Sequence, residues 1–231
     1  MNEDSEVIDA ARALAAAGLV DAFGHVSIRR GESVMLTPAR PLAQLSHSDA
    51  LLPVALDVDE LPTGVPKEAW IHLGVYRNRP DVTAICRAQP PSAAVCAASG
   101  VPIRPLYGHG AFLGSEVPVF QDARLVRTKQ LGDAVAATLG QAPALVMRGT
   151  GAVAVADRPG RAMALMAVLE RSARLNLEAA AVGRPALELS SAEFEGWQEV
   201  RSELLDRFWA YLRTQAPRSP LADATPELRL D

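Results

Sequence analysis

Apolar residues recur at helical spacing in several segments of the chain. Near the N-terminus, Val7, Ile8, Ala11 and Leu14 recur every three or four residues, and Gly18 follows them. This pattern predicts a helix over Glu6–Ala17. Amphipathic or small-residue stretches bounded by prolines, glycines or capping residues predict the remaining helices, which are Lys67–Asn78, Pro91–Ser99, Asp122–Leu139, Pro159–Val182 and Ser191–Thr214.

Shorter apolar runs between these helices predict strands. His25–Arg29 and Val34–Leu36 alternate and are joined by a turn with Gly31, which predicts a hairpin. Apolar or β-branched content predicts three further strands, Val82–Cys86, Ala144–Met147 and Ala152–Val155. Strands and helices mixed without strict alternation indicate one α/β or α+β domain in which helices cover a sheet. We expect this domain to span residues 1–216, followed by a polar tail over residues 217–231.

The composition excludes several classes of protein. The 231 residues are 49% hydrophobic and 22% charged, as in a globular protein, and the net charge of −4 without a basic cluster argues against a nucleic-acid partner. No apolar run reaches the roughly 18 residues of a membrane span, and the first residues are acidic, unlike a targeting peptide. We therefore expect a cytoplasmic protein with no membrane partner, in which Cys86 and Cys96 are buried thiols.

Two pairs of polar residues have spacings that bring their side chains together. Glu68 and His72 are four residues apart on a predicted helix, so they form either an acid/base pair or part of a metal site. A carboxylate favoured by the helix dipole beside an ordinary buried histidine would give the same pattern. Arg87 and Gln89 follow a predicted strand and point to one side, where Arg87 either holds a carboxylate or is a surface residue.

The predicted hairpin carries a third group of polar residues. His25, Ser27 and Arg29 occupy alternate positions, so their side chains lie on one side of the strand. Arg40 adds a cation shortly after the hairpin. This face is either a binding surface or an ordinary solvated face.

Two glycine-rich turns complete the set of candidates. His109 lies between Gly108 and Gly110, where the backbone allows a ligand to approach closely, although a loop histidine is an equal alternative. The turn Arg148–Gly151 is too short to cradle a phosphate, and the sequence contains no GxSxG, P-loop, GxGxxG or HExxH motif. Spacing alone therefore indicates no more than a domain of the size and class of an α/β enzyme.

Taken in order, these segments resemble the class II aldolase/adducin family from about Val7 to Leu212. The family motifs are a G-N-x-S-x-R hairpin, a T-P-S-G turn, an S-S-E-x-x-x-H helix ending in tyrosine, an H-x-H strand end and a late H-G turn. The corresponding stretches are Gly24–Arg29, Thr37–Arg40, Pro66–His72 with Tyr76, Arg87–Gln89 and Thr150-Gly151. The C-terminal half is most similar to the branch that decarboxylates small hydroxylated or aromatic acids.

The resemblance implies a single three-layer α/β/α domain with a mostly antiparallel central sheet. It also implies a homotetramer with active sites between subunits, and carbon–carbon lyase chemistry in which Glu68 is the acid/base. In the family, the three histidines of H-x-H and H-G bind a divalent metal, commonly zinc. Arg87, Gln89 and Thr150 replace them here.

The replaced residues predict an enzyme without a metal cofactor. A guanidinium does not ligate a metal, and amide and hydroxyl groups are poor zinc ligands. Arg87 instead supplies a fixed cation for an anionic substrate or a developing oxyanion. The phosphate-binding turns of the family are also replaced, which favours a small anionic carboxylate as the partner. The replacements are Ala39, Arg40, Pro66 and Lys67.

Three hypotheses follow from these observations. The first is a metal-independent lyase of decarboxylase or retro-aldol type, or a related proton-transfer enzyme, in specialised metabolism. Its candidate catalytic residues are Glu68, His72, His109 and Arg87, and its candidate substrate-binding residues are His25, Ser27, Arg40, Gln89, Arg148 and Thr150. The second is a non-catalytic aldolase-like scaffold or small-molecule-binding protein. The third is a relocated metal site formed by Glu68, His72, His25 and His109.

Overall fold

A seven-stranded sheet between two layers of helices forms the centre of the computed structural model, which describes residues 3–215. The strands are β1 (His25–Arg30), β2 (Ser33–Leu36), β3 (Leu52–Ala55), β4 (Ala84–Ala88), β5 (Val119–Phe120), β6 (Ala144–Met147) and β7 (Gly151–Ala156). The helices are α1 (Glu3–Ala16), α2 (Ala69–Asn78), α3 (Pro91–Ser99), α4 (Lys129–Leu139), α5 (Pro159–Ala181), α6 (Ser191–Glu199) and α7 (Arg201–Gln215). Two short 3₁₀ helices occupy Leu42–Gln44 and Gly108–Leu113.

The strand order is β3-β2-β1-β4-β7-β6-β5. Neighbouring strands are antiparallel except β5 and β6, which are parallel. This confirms the predicted three-layer α/β/α arrangement with a mostly antiparallel sheet. β4 lies at the centre of the sheet, and all five of its residues are buried.

Side chains on alternate strand positions enter two separate cores. On one face, Val26, Ile28 and Cys86 pack with apolar residues of α1, α3, α5 and α7. On the other face, Ile85 and Val153 pack with residues of α2 and α4. Because successive strand residues point to opposite faces, His25, Ser27 and Arg87 face α2. Both cysteines are buried free thiols, as predicted.

Several predicted boundaries are wrong in ways that affect the site. The strand predicted over Val82–Cys86 extends over Ala84–Ala88, so Arg87 lies inside the sheet rather than beyond it. The helix predicted from Asp122 begins at Lys129, where the Thr128 hydroxyl caps it by accepting from Leu131 N–H. The short strands β3 and β5 were not predicted, since each has four residues or fewer and no clear alternation.

The helix predicted over Ser191–Thr214 is two helices that meet at Val200. α6 lies against the 3₁₀ helix Gly108–Leu113, where the Gln198 amide donates to the carbonyl of Ala111. α7 packs instead against α1 and α5, with Trp209 buried beside Gly160. The two halves of the apolar stripe therefore contact different elements, and a single straight helix does not reach both.

Among residues 3–215, no helix combines the length and the apolar character that a bilayer span requires. The predicted polar tail, residues 217–231, lies outside the described residues.

The close packing of α2 on α4 depends on two glycines. A Cβ atom added at Gly132 would collide with the carbonyl of Trp70, and one added at Gly74 would collide with the carbonyl of Gly132. We predict that Gly132→Ala lowers the free energy of unfolding by about 1–3 kcal/mol, because the two helices must move apart. Urea unfolding followed by circular dichroism measures this change.

Gly196→Ala is the matched control for this prediction. Gly196 lies in α6 with nothing within 4 Å of an added Cβ, so the substitution should raise stability by up to about 1 kcal/mol through helix propensity. Equal stability of the Gly132→Ala variant and the natural protein would show that the contact between α2 and α4 is not tight.

Candidate active site

The candidate site lies where β1 and β4 meet the start of α2. His25 on β1 is the direct antiparallel partner of Arg87 on β4, so both side chains leave the sheet side by side toward α2. Glu68 precedes the first residue of α2 and reaches the same place. Three elements distant in sequence therefore bring an imidazole, a guanidinium and a carboxylate together.

Arg87 is a buried cation with two partners. Its Nη2 lies 3.0 Å from Oε2 of Glu68 and donates to the carbonyl of Thr150 at 2.6 Å. The Arg87 residue is 2% exposed. Burial lowers the pKa of Arg87 from its ordinary value, and the neighbouring Glu68 carboxylate opposes that change. The guanidinium thus joins the start of α2 to the turn that precedes β7.

A chain of hydrogen bonds runs behind His25 into the protein. Nδ1 of His25 lies 2.6 Å from Nε2 of His72, and Nδ1 of His72 lies 2.6 Å from Oγ of Ser27. The Ser27 hydroxyl lies 2.8 Å from the hydroxyl of Tyr76, which donates to the carbonyl of Thr83 at 3.3 Å. Ser27 and His72 are fully buried. Five residues on β1, on α2 and between α2 and β4 therefore form one continuous polar path.

His25 and His72, the two histidines of this hydrogen-bond chain, are neutral at physiological pH. The pKa of His72 is lowered to about 3 because burial disfavours the imidazolium and the Arg87 cation repels it. Burial, followed by the influence of His72 and Arg87, lowers the pKa of His25 well below its ordinary value. Each imidazole therefore carries one proton, and each has one donor and one acceptor nitrogen.

A cleft of about 420 Å³ opens above His25, Glu68 and Arg87. Three further cations, Arg40, Lys67 and Arg127, line its walls. Arg40 is paired with Asp49 at 3.0 Å. Phe23 also lines the cleft and exposes 68% of its surface. An apolar ring at the rim and an excess of positive charge within suit a small anion with an apolar body.

Four buried polar atoms of the cleft residues have no hydrogen-bond partner. They are Nε2 of His25, Oε1 of Glu68, and Nε and Nη1 of Arg87. A buried polar group without a partner costs about 1–3 kcal/mol. A ligand that bonds to these atoms would remove this cost, so the arrangement is typical of a binding site rather than of a structural ion pair.

The structure brings only part of the predicted site together. His25, Glu68, Arg87 and Arg40 line the cleft, and Thr150 contributes its carbonyl to Arg87. His72 and Ser27 lie behind His25 and do not line the cleft. Ser27 therefore does not contact a substrate directly, and His72, predicted as a catalytic residue, reaches the cleft only through His25. Glu68 and His72 are likewise not an acid/base pair, since the two nitrogens of His72 bond to His25 and Ser27.

Three predicted site residues lie elsewhere in the structure. The ring of His109 packs among those of Tyr107, Phe112 and Trp197, and Gly108 allows the approach of Trp197 rather than of a ligand. Arg148 is exposed, and its Nε donates to the carbonyl of Gln121. Gln89 is half-buried and is not among the cleft residues. The spacing of these residues along the sequence could not show where their side chains lie in the folded protein.

Sequence reasoning also missed three residues that belong to the site. Arg127 was placed inside a predicted helix, although it lies in the loop before α4 and is therefore free to reach the cleft. Phe23 precedes the predicted hairpin, and no motif or spacing in the sequence marked it as a site residue. Tyr76 was noted as the end of a motif, and its position four residues after His72 could have indicated its place in the hydrogen-bond chain.

The residues present do not fit the zinc site of the family that the sequence resembles. The positions of the three histidines hold Arg87, Gln89 and Thr150, and the Arg87 guanidinium already bridges Glu68 and the Thr150 carbonyl. Within the described residues, no three His, Cys, Asp or Glu side chains form a group able to hold a metal ion. The alternative metal site of Glu68, His72, His25 and His109 is therefore wrong in its geometry.

Comparison with known proteins assigns this fold to a family. The Class II Aldolase and Adducin N-terminal domain family matches residues 5–177, and the chain belongs to that family. A 3,4-dihydroxyphthalate decarboxylase of Rhodococcus jostii (strain RHA1) is 32% identical over 82% of this chain and 85% of its own. The enzyme of the same name from Arthrobacter keyseri is 30% identical over 80% of this chain and 81% of its own.

Solved structures of the same fold include sugar-phosphate enzymes. The crystal structure of L-fuculose-1-phosphate aldolase from Thermus thermophilus is similar with a TM-score of 0.71 and 29% identity, over 79% of this chain and 97% of that chain. These similarities confirm the class II aldolase fold predicted from the order of motifs.

The two neutral histidines make stability depend on pH. In the unfolded chain they take up protons below about pH 6.5, whereas the folded protein keeps them neutral to lower pH, so the unfolded state binds more protons. We predict that the free energy of unfolding decreases as the pH is lowered from about 6.5 toward about 3, by up to about 1.4 kcal/mol per pH unit for each imidazole.

Urea unfolding at several pH values tests this for the natural protein and for His25→Gln/His72→Gln. The double variant should lose less stability than the natural protein as the pH falls through this window. The same pH dependence in both proteins would show that the pair is not neutral in the folded state.

Proposed function

We propose that this chain is a metal-independent carbon–carbon lyase that decarboxylates a small, hydroxylated carboxylic acid. The class II aldolase fold and the relatives named as 3,4-dihydroxyphthalate decarboxylases support a lyase-like enzyme. The observation that carries the proposal is the group of unpartnered polar atoms on Glu68, Arg87 and His25 in one cationic cleft.

In this proposal, positive charge selects the substrate. Arg87 lines the cleft and has two buried donors without a partner, Nε and Nη1, and Lys67, Arg40 and Arg127 line the same cleft. A carboxylate bonded to a guanidinium forms charge-assisted hydrogen bonds, which are about twice as strong as neutral ones. Phe23 offers an apolar surface to the body of the acid.

The same cation serves the chemical step. Decarboxylation breaks the bond between the carboxylate carbon and its neighbour, and the electron pair of that bond passes into the unsaturated system to which the neighbouring carbon belongs. Arg87 stabilises the negative charge that develops, through donors that are already in place before the reaction. Its bond to the Thr150 carbonyl and its pairing with Glu68 prevent reorganisation of the guanidinium.

Glu68 supplies the proton in this scheme. When the substrate carboxylate binds Arg87, two carboxylates share one guanidinium, and Glu68 takes up a proton from solvent. Its Oε2 is held by Arg87, while Oε1 is buried without a partner and belongs to a residue that lines the cleft. A proton delivered from Oε1 to the carbon that bears the carboxylate takes the place of CO₂ on that carbon. Glu68 recovers its proton from solvent through the open side of the cleft.

Replacing this carboxylate tests the proposal directly. Glu68→Gln keeps the size of the side chain but has no proton to transfer, and we predict at least a hundredfold loss of kcat, in the range of about 10²–10⁴ known for general acid–base groups. The assay follows CO₂ release from 3,4-dihydroxyphthalate and related hydroxylated aromatic acids. Glu199→Gln, an exposed carboxylate at the end of α6, is the matched control and should leave kcat unchanged.

Undiminished turnover by Glu68→Gln would contradict the assignment of the acid. If the natural protein is stabilised by the acid in a thermal-shift assay but never consumes it, the chain is a binding protein and the proposed activity is wrong.

Independence from metal has its own test. We predict that the purified protein holds less than about 0.1 equivalents of transition metal and that dialysis against EDTA leaves turnover unchanged, since Arg87 stands at the sequence position of a metal-binding histidine of the family and pairs with Glu68 and the Thr150 carbonyl. Metal content is measured by plasma mass spectrometry on protein purified without a chelator. Loss of activity on dialysis, with recovery on adding zinc, would contradict this part of the proposal.

A further inference from the structure

We propose that Nε2 of His25 is the unprotonated proton acceptor of the cleft, held in that state by the direction of the hydrogen-bond chain behind it. Its target is the proton of a hydroxyl group next to the substrate carboxylate. The target rests on the proposed function, whereas the protonation state of the nitrogen rests on the structure alone.

The direction of the chain follows from its inner end. The Thr83 carbonyl can only accept, so the Tyr76 hydroxyl donates to it. With its proton used in this way, the Tyr76 oxygen accepts from the Ser27 hydroxyl. The Ser27 oxygen then accepts from Nδ1–H of His72, since Ser27 has no second proton to give.

The hydrogen-bond chain continues in the same direction to the cleft. A neutral His72 with its proton on Nδ1 has a lone pair on Nε2, which accepts from Nδ1–H of His25. His25 therefore carries its lone pair on Nε2, the buried atom without a partner in a residue that lines the cleft. Every donor in the chain has an acceptor, and the one acceptor without a donor is the nitrogen offered to a ligand.

The charges around His25 maintain its neutral form. Arg87 lies opposite it on β4, His72 contacts it from α2, and Glu68 lines the same cleft and pairs with Arg87. Burial and the Arg87 cation keep the pKa of His25 below its ordinary value, so the lone pair is present at neutral pH without any counter-charge. The chain thus orients the imidazole through neutral groups alone.

The register of the sheet relates this acceptor to the substrate. Directly paired residues of antiparallel strands have Cβ atoms about 4.5–5.5 Å apart, and His25 is paired with Arg87. A carboxylate on Arg87 and a hydroxyl on the adjacent carbon are close enough to engage both side chains. The inferred substrate class is therefore an acid with a hydroxyl group next to the carbon that bears the carboxylate.

The proton transfers balance over one turnover. Nε2 of His25 takes the hydroxyl proton as Glu68 gives a proton to the carbon that bears the carboxylate, and the electron pair of the O–H bond forms a C=O bond. The bond to CO₂ then breaks, its electron pair restores the original unsaturation, and the oxygen regains its proton from His25. The sum is replacement of CO₂ by one proton, which Glu68 recovers from solvent.

The tautomer of His25 is observable without any substrate. Nitrogen-15 NMR of the histidine-labelled protein at neutral pH distinguishes a nitrogen that carries a proton from one that does not. In the natural protein we expect Nε2 of His25 without a proton and Nδ1 with one. A proton on Nε2, or an imidazolium, would overturn the proposal.

Tyr76→Phe tests the cause of that state. Without the Tyr76 hydroxyl, the Ser27 proton has only His72 Nδ1 as an acceptor, so the chain reverses and the proton of His25 moves to Nε2. We expect this shift in the NMR spectrum and a fall in kcat of about tenfold or more with KM nearly unchanged, since a general base contributes about 10²–10⁴. A tautomer unchanged by this substitution would contradict the role of Tyr76 as a positioning residue.

Tyr211→Phe is the matched control, because Tyr211 lies in α7, is 57% exposed and takes no part in the hydrogen-bond chain. It should change neither the tautomer nor kcat. If Tyr76→Phe does not fold, the spectrum of the natural protein still decides the state of Nε2. A protein that shows the expected tautomers but releases no CO₂ would contradict the proposed function, and the converse result would contradict this inference alone.

Discussion

The burial of the Arg87 guanidinium constrains the rest of the site. A cation buried at the centre of a sheet is tolerated only with close partners. Deleting one partner of a buried ion pair lowers the free energy of unfolding by about 3–5 kcal/mol, because the remaining charge is left unpaired. Glu68 and the Thr150 carbonyl provide these partners from two different elements. The position of α2 relative to β4 and the turn before β7 is therefore tied to one side chain.

This constraint connects the fold to the proposed chemistry. The alternation of β1 and β4 places polar residues on the face toward α2, and small apolar residues such as Ala84 and Ala88 on the other face, which packs with α5 and its neighbours. One face of the sheet is consequently a conventional core, while part of the other is a polar network of His25, Ser27, His72 and Tyr76. Such networks are stabilising only when every member is satisfied, and here the unsatisfied atoms are concentrated at the cleft.

The sequence predicted the elements that have long apolar stripes or clear punctuation. α3 and β6 have their predicted limits, and the hairpin that carries His25 was found from strict alternation. The class of fold came from the order of motifs rather than from periodicity. Local patterns failed where tertiary contacts decide the outcome: Gln198 and Trp209 bind different neighbours and divide one predicted helix into two.

The candidate site was predictable to a similar extent. Strand alternation correctly grouped His25 with Ser27, and the motif positions grouped Arg87 with Thr150. Helical spacing paired Glu68 with His72, but Glu68 lies just before the helix and turns to Arg87 instead. In the sequence, His109 and Arg148 looked as plausible as site residues as His25 and Arg87 did. A glycine-flanked histidine and an arginine in a turn give no indication of which face of the protein they occupy.

The central claim is that Arg87 provides the charge that binds the substrate carboxylate, and calorimetric titration with phthalate measures it most directly. We predict that metal-free natural protein binds phthalate, that Arg87→Gln weakens binding at least about tenfold, or 1.4 kcal/mol, and that Arg87→Lys, which keeps the charge, weakens it less. Arg148→Gln, outside the cleft, should bind as the natural protein does. Equal affinity in folded Arg87→Gln, or binding by the natural protein only when zinc is added, would contradict the account.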